Sequence, residues 1–235
     1  YEFGKSSNEI KNIVAYYKMQ DNVLDSASSN NGTAANIVFE AGSIGKRAVF
    51  NGVSSSILVP SNSTLSFGNG VKDTSFSIVL RINRNAIPNS SGYWFIDKRE
   101  NTTNLQEWQI AEVAGNIEFS LASNSNFNNR IFARIATPFT LGVTETLICT
   151  YNGSGNASGI KMYLNGNLLN TTNNVVGTYV AMIATNSKVT MGKRGFSPAG
   201  YFNGKLDEIA IVNGRYSQSD INDIQTTFNN GQSLI

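Results

Sequence analysis

The chain has 235 residues, 40% of them hydrophobic and only 14% charged, with a formal net charge of +2, one cysteine and no histidine. That length allows one large all-β domain or two small ones, and the low charge leaves Asn, Ser, Thr and Gly to supply the polar surface, as in a turn-rich β protein. The missing histidine excludes His-based triads and His-ligated zinc, the scattered Lys and Arg offer no long-range field for nucleic acid or an anionic membrane, and no apolar run approaches the ~18 residues of a membrane span.

Residues 1–12 carry little pattern and read as an arm or linker ahead of a domain spanning 13–235. The chain starts at Tyr1 without Met or signal peptide, which suits a processed form or an excised fragment. Residues 13–19, I-V-A-Y-Y-K-M, form the first strand. Residues 20–33 are a loop dense in oxygen-bearing side chains, with Asn31-Gly32 as a turn signal. Strands follow at 35–40, 47–51 and 56–60, the last two about an Asn51-Gly52 turn. Residues 61–72 read as loop with at most a helical turn. Residues 75–83 place Phe76, Ile78, Leu80 and Ile82 on one face, the pattern of a core strand. Residues 93–98, 107–113 and 116–121 make a meander, its last two strands joined at Ala114-Gly115.

Strands at 131–136 and 145–151 follow, the second holding Cys149, which reads as a small buried side chain and can form no intrachain disulfide. Residues 160–164 and 167–170 flank Asn165-Gly166, the strongest short-range hairpin signal. A short strand at 188–191 precedes the last strand, 204–212. Neither face of that strand is cleanly polar, so it reads as buried, and Asp207 within it must be paired, hydrogen-bonded or bound to metal. A helix then begins at Ser217, with Asp220 three residues on as in a capping box. Ile221, Ile224 and Phe228 form one apolar stripe, and Gly231 stands where a terminating glycine belongs. About thirteen turn-separated strands and one short C-terminal helix, without a break in composition, predict an all-β fold. Its expected form is an antiparallel two-sheet β-sandwich of jelly-roll type.

Seven Asn-x-Ser/Thr sequons, at Asn31, Asn62, Asn89, Asn101, Asn152, Asn156 and Asn170, are about what so Asn-, Ser- and Thr-rich a chain holds by chance.

From 13 to 231 the chain resembles the laminin G-like, concanavalin A-like lectin/glucanase sandwiches, in the branch common among bacterial, archaeal and phage proteins. The opening strand with D-S-A-S-S-N-N-G-T, then G-S-I-G-K-R-A-V-F-N-G-V-S-S-S-I-L-V-P, F-S-I-V-L-R-I-N, L-I-C-T-Y-N-G with I-K-M-Y-L-N-G-N-L-L, and F-N-G-K-L-D-E-I-A-I-V-N-G-R-Y-S-Q-S-D-I stand in family order. The family often has Trp-His-His before the L-I-C-T-Y strand; here the segment is Gly142-Val143-Thr144-Glu145-Thr146. The resemblance implies first and last strands close together, with a structural calcium there in several members, and makes Asp25, Asn30 and Asp207 the candidate ligands. Calcium takes hard oxygens, which the 20–33 loop supplies. In the competing reading Asp25 caps a turn, and Asp207 is bonded to backbone N–H groups or to a Lys or Arg.

Glucanases of this fold carry Glu-x-Asp-x-x-Glu on one strand, and hydrolysis needs two carboxylates at fixed separation. The nearest string here is Glu107-Trp108-Gln109-Ile110-Ala111-Glu112: Gln109 stands at the Asp position and Glu112 is one place off. Asp97 and Glu118 read as solvated or paired, so catalysis is not expected. A sugar-binding module would need exposed rings. Tyr93, Trp94, Trp108, Phe196 and Tyr201 are available, a core or half-buried role being the ordinary expectation for each, and Trp94, Trp108 and Tyr201 are kept as ligand-binding candidates. The expected function is a non-catalytic binding or adhesion module of an extracellular, cell-surface or virion protein that recognises glycan. The alternative is a structural subunit or domain of a surface filament or phage particle, partnered by other copies or subunits; a glycoside hydrolase is a remote third. Neither nucleic acid nor membrane insertion is expected.

Overall fold

The computed structural model describes residues 12–100, 105–123, 128–195 and 197–235. In chain order the strands are β1 (Ile13–Tyr17), β2 (Thr33–Ala35), β3 (Val38–Ala41), β4 (Lys46–Asn51), β5 (Ser56–Val59), β6 (Phe76–Arg84), β7 (Tyr93–Glu100) and β8 (Leu105–Val113). They continue as β9 (Asn116–Ala122), β10 (Arg130–Ala136), β11 (Thr144–Tyr151), β12 (Ile160–Leu164), β13 (Asn167–Leu168), β14 (Thr172–Val176), β15 (Val189–Met191) and β16 (Asn203–Asn213), and one helix, α1 (Gln218–Asn229), follows.

Two eight-stranded sheets result. The first runs β13-β12-β11-β6-β16-β4-β3, with β1 also on β16; the second runs β14-β10-β9-β8-β7-β15-β5-β2. Every strand ladder is antiparallel. The predicted all-β two-sheet sandwich with one C-terminal helix is therefore the fold.

The core lies between the sheets. Phe76, Ile78, Leu80 and Ile82 of β6 meet Trp108 and Ile110 of β8 and Ile117, Phe119 and Leu121 of β9. Each such side chain contributes roughly 1.5–3 kcal/mol by leaving water. The other face of the first sheet is covered as well: Val79, Ile148, Ala210 and Val212 pack under Ile221, Ile224 and Phe228 of α1. Covering on both faces explains why all of β6 and most of β16 are buried. The helix starts as predicted, with the Ser217 hydroxyl accepting the Asp220 N–H and the Asp220 carboxylate accepting the Ser217 N–H at 2.6 Å. Asn165 (φ 49°) and Gly166 (φ 85°) form the expected tight hairpin turn, which needs both residues in the left-handed region.

Two readings change. The strand expected at 35–40 is two strands in different sheets: β2 pairs with β5 and β3 with β4, and the chain crosses over at Asn36, whose φ is 51°. Residues 172–176, read as no element, are the edge strand β14; T-N-N-V-V carries no alternation because the strand is largely exposed. Of the predicted N-terminal arm, residues 1–11 lie outside the described residues, and the Asn12 carbonyl accepts the Asn213 N–H at 2.9 Å.

Candidate functional site

Among the described residues, no helix packs on the outer face of the second sheet. Alternation along its strands fills that face with polar groups. While Trp108 and Ile110 turn into the core, Gln109 and Ala111 turn outward; while Ile117, Phe119 and Leu121 turn inward, Glu118 does not. On β10, Ile131 and Ala133 join the core, leaving Arg130, Phe132 and Arg134 on the other side. Strand β7 sets Trp94 opposite Ala111 and Asp97 opposite Gln109. A depression of about 510 Å³ lies here, walled by Trp94, Arg99, Gln109, Glu118, Arg130 and Arg134, with Arg194 and Ala199 from the loop after β15.

Its side chains are cross-braced. Gln109 Oε1 accepts the Trp94 indole N–H at 3.2 Å and an Arg99 N–H at 2.6 Å. The Arg194 guanidinium lies 5.0 Å from the centre of the Trp94 ring, and those of Arg130 and Arg134 lie 5.3 and 4.9 Å from Phe132. Glu118 accepts Arg134 Nε–H at 2.9 Å and the Ser120 hydroxyl. Asp97, fully buried beneath the loop, accepts the Gly195 N–H at 2.9 Å. A Cβ on Gly195 would stand 2.7 Å from Asp97 Oδ1, so the loop approaches this closely only with glycine. Burial pushes the Asp97 carboxyl up to about 7, against the pull of the Gly195 N–H, Arg99, Arg194 and Lys193. Burial likewise lowers Arg99 to about 10, with Asp97 opposing.

The sequence candidates fare unequally. Trp94 is at the site but only 5% exposed, and its ring already lies under Arg194. Trp108 is corrected: it is a core residue, 1% exposed, donating its indole N–H to the Leu65 carbonyl at 3.1 Å, and offers no face to a sugar. Tyr93 is in the core, Tyr201 is half-buried and does not line the depression, and Phe196 lies outside the described residues. Glu107 and Glu112 do not open on the depression. Glu107 takes Lys98 Nζ at 2.6 Å and Glu112 takes Arg84 at 2.6 Å, all four side chains buried. Glu118 is paired, as expected; Asp97 is neither solvated nor directly salt-bridged. The arginines were missed, although R-x-F-x-R at 130–134 puts three large side chains on one face of a strand.

The three residues assigned to calcium are not brought together. Asp25 Oδ1 accepts the N–H groups of Tyr16 and Ala27 at 2.8 and 2.9 Å, and its Oδ2 that of Asn30 at 3.0 Å. It sits on the outer edge of β1, while Asp207 is on β16, which pairs with β1's other edge. Asp207 faces Arg81, 3.5 Å away. Asn30 Oδ1 is buried without a partner, but one amide oxygen is far from the six to eight oxygens calcium takes. These residues do not fit a shared calcium, and among the described residues no group of three or more Asp, Glu, His or Cys converges. The competing reading describes their contacts: Asp25 closes a loop and Asp207 pairs with an arginine.

The family model of the concanavalin A-like lectin/glucanases superfamily matches residues 51–222. The chain belongs to that superfamily. Domain 4 of AbnA, an extracellular GH43 arabinanase from Geobacillus stearothermophilus solved with arabinotriose, superposes with TM-score 0.65 at 20% identity over 91% of this chain and 98% of that one. The binding domain of Paraclostridial Mosquitocidal Protein 1 gives 0.67 at 17% identity over 94% of this chain and 53% of that one. The receptor binding domain of botulinum neurotoxin D gives 0.66 at 14% over 93% and 53%. The chain thus spans about half the length of the two toxin domains. At these identities the likeness is one of fold. A search of curated protein sequences finds no match.

Proposed function

We propose that the chain is a non-catalytic, glycan-binding module of an extracellular or surface protein, and that the depression on the outer face of the second sheet is its site. One observation carries this: a depression of about 510 Å³, lined by braced polar side chains on a sheet face that packs no helix among the described residues. Binding sites of this size are concave, with a few fixed polar groups setting orientation. The arabinotriose-bound relative and the toxin binding domains support a binding role on this fold. Against hydrolysis, Glu118 is held by Arg134 and Asp97 is sealed under Gly195, so among the described residues no carboxyl pair faces the depression freely.

A glycan array followed by titration tests the reading. Saturable binding to one glycan class is expected, weakened at least tenfold by Val113→Trp, which fills the exposed rim without entering the core. An array without a hit would sink it, and release of reducing sugar would sink the non-catalytic part. The second reading, a structural part of a surface filament or virion, draws on both edges of the second sheet. Strand β2 is wholly exposed and β14 largely so, and open edges can accept a neighbour's strand. Concentration-dependent self-association with an empty array would favour it.

A further inference from the structure

We propose that this depression takes an anionic saccharide, an extended chain carrying carboxylate or sulfate groups; the inference rests on the glycan-binding reading and names its ligand class. Four guanidiniums, of Arg99, Arg130, Arg134 and Arg194, line the depression. A smaller hollow of about 220 Å³ shares Arg99 and adds Lys188 and Lys193. One face therefore gathers six of the chain's 18 Lys and Arg residues. The acids there are Glu118, Glu100 and the buried Asp97, half as many.

The way the cations are held matters as much as their number. Arg194 rests on Trp94 and Arg99 on Gln109, while Arg130 and Arg134 rest on Phe132 and share Glu118 as a counter-ion, which leaves the six cations of this face in excess over its acids. A guanidinium fixed in this way loses little freedom when it takes a planar anion through paired N–H groups. The same contacts argue against a neutral-sugar site. Both rings are only 5% exposed and each already carries a cation, so among the described residues that line the depression no open aromatic face is left for stacking. Single-stranded nucleic acid would want the same open faces for its bases. The cations span β10 to β15, four strand spacings or roughly 19 Å, a length that suits an oligosaccharide better than one sugar.

The test is calorimetric titration of the intact chain with oligogalacturonate, a heparin-derived sulfated oligosaccharide, a neutral galacto-oligosaccharide of equal length and an oligothymidylate. At least one acidic sugar is expected to bind about tenfold or more tighter than the neutral one, with the advantage shrinking in high salt. Which acidic sugar binds separates carboxylate from sulfate recognition. Arg194→Gln, and separately Lys188→Gln with Lys193→Gln, all outside the core, are expected to weaken it about threefold or more. Equal affinity for the neutral sugar overturns the inference and leaves glycan binding standing. No saccharide binding overturns both. Oligothymidylate binding as tightly as the acidic sugars, or variants with unchanged affinity, overturns the inference.

Discussion

Lys98 and Glu107 sit side by side with no exposed surface, and the carboxylate also takes the Ser66 and Thr185 hydroxyls at 3.1 and 2.6 Å. Removing one partner strands the other's charge in the interior. Glu107→Ala should cost about 3–5 kcal/mol in urea denaturation, and Lys98→Met added to Glu107→Leu should recover most of that. This pairing was not readable from the chain. Glu107 lies where β7 and β8 are out of simple register, between Lys98 and Arg99, so counting along the strands does not put the two together. Asp207 divides differently. Its burial follows from its apolar neighbours in sequence, but its partner, Arg81, is set by the register of β16 on β6.

Among elements, α1 was the most readable, because a cap is a contact between residues three apart. Ser217→Ala should lower stability by about 1 kcal/mol, measured by thermal melting, since the Asp220 N–H loses its acceptor. What the local pattern left out is the clasp that follows the helix. At the bulge in β16, Glu208 holds φ at 47° and its carboxyl takes the Tyr16 hydroxyl and, at 3.0 Å, that of Ser233; the Tyr16 oxygen in turn accepts the Leu234 N–H at 2.8 Å. The first strand, the last strand and the C-terminal tail meet in these bonds. Tyr16→Phe should cost about 1–3 kcal/mol by leaving one oxygen of a buried carboxyl, Glu208 Oε2, without its donor, and amide exchange at Leu234 should speed up. The β2–β3 crossover went unread for a related reason: a short β-rich stretch such as A-N-I-V-F-E at 35–40 looks alike whether it serves one sheet or two.

Across the molecule, Asp97, Asp207 and Glu208 are each pushed up to about 7, first by burial. Each binds its proton more tightly folded than unfolded. Folding then takes up protons between the ordinary carboxylate range, about 4, and about 7, so stability is greatest below that window and falls as pH rises through it. The melting temperature should be higher at pH 5 than at pH 8, and Glu208→Gln should flatten the difference. A chelator should leave the melting temperature unchanged, because the Asp25 oxygens are spent on backbone N–H groups and Asp207 on Arg81. A drop of several degrees would restore the calcium reading.

The amino-acid sequence alone determined the two-sheet sandwich, its closing helix, its tight hairpins and the burial of β16. Alternation, turn chemistry and capping act between residues a few places apart, and these features follow from them. Tertiary structure alone decided which carboxyl meets which cation and where a ligand could lie. With a net charge of +2 and its Lys and Arg dispersed, the chain gives no hint of a basic face. That face exists because pairing and alternation turn Arg99, Arg130, Arg134 and Arg194, drawn from two strands and a loop, toward one depression.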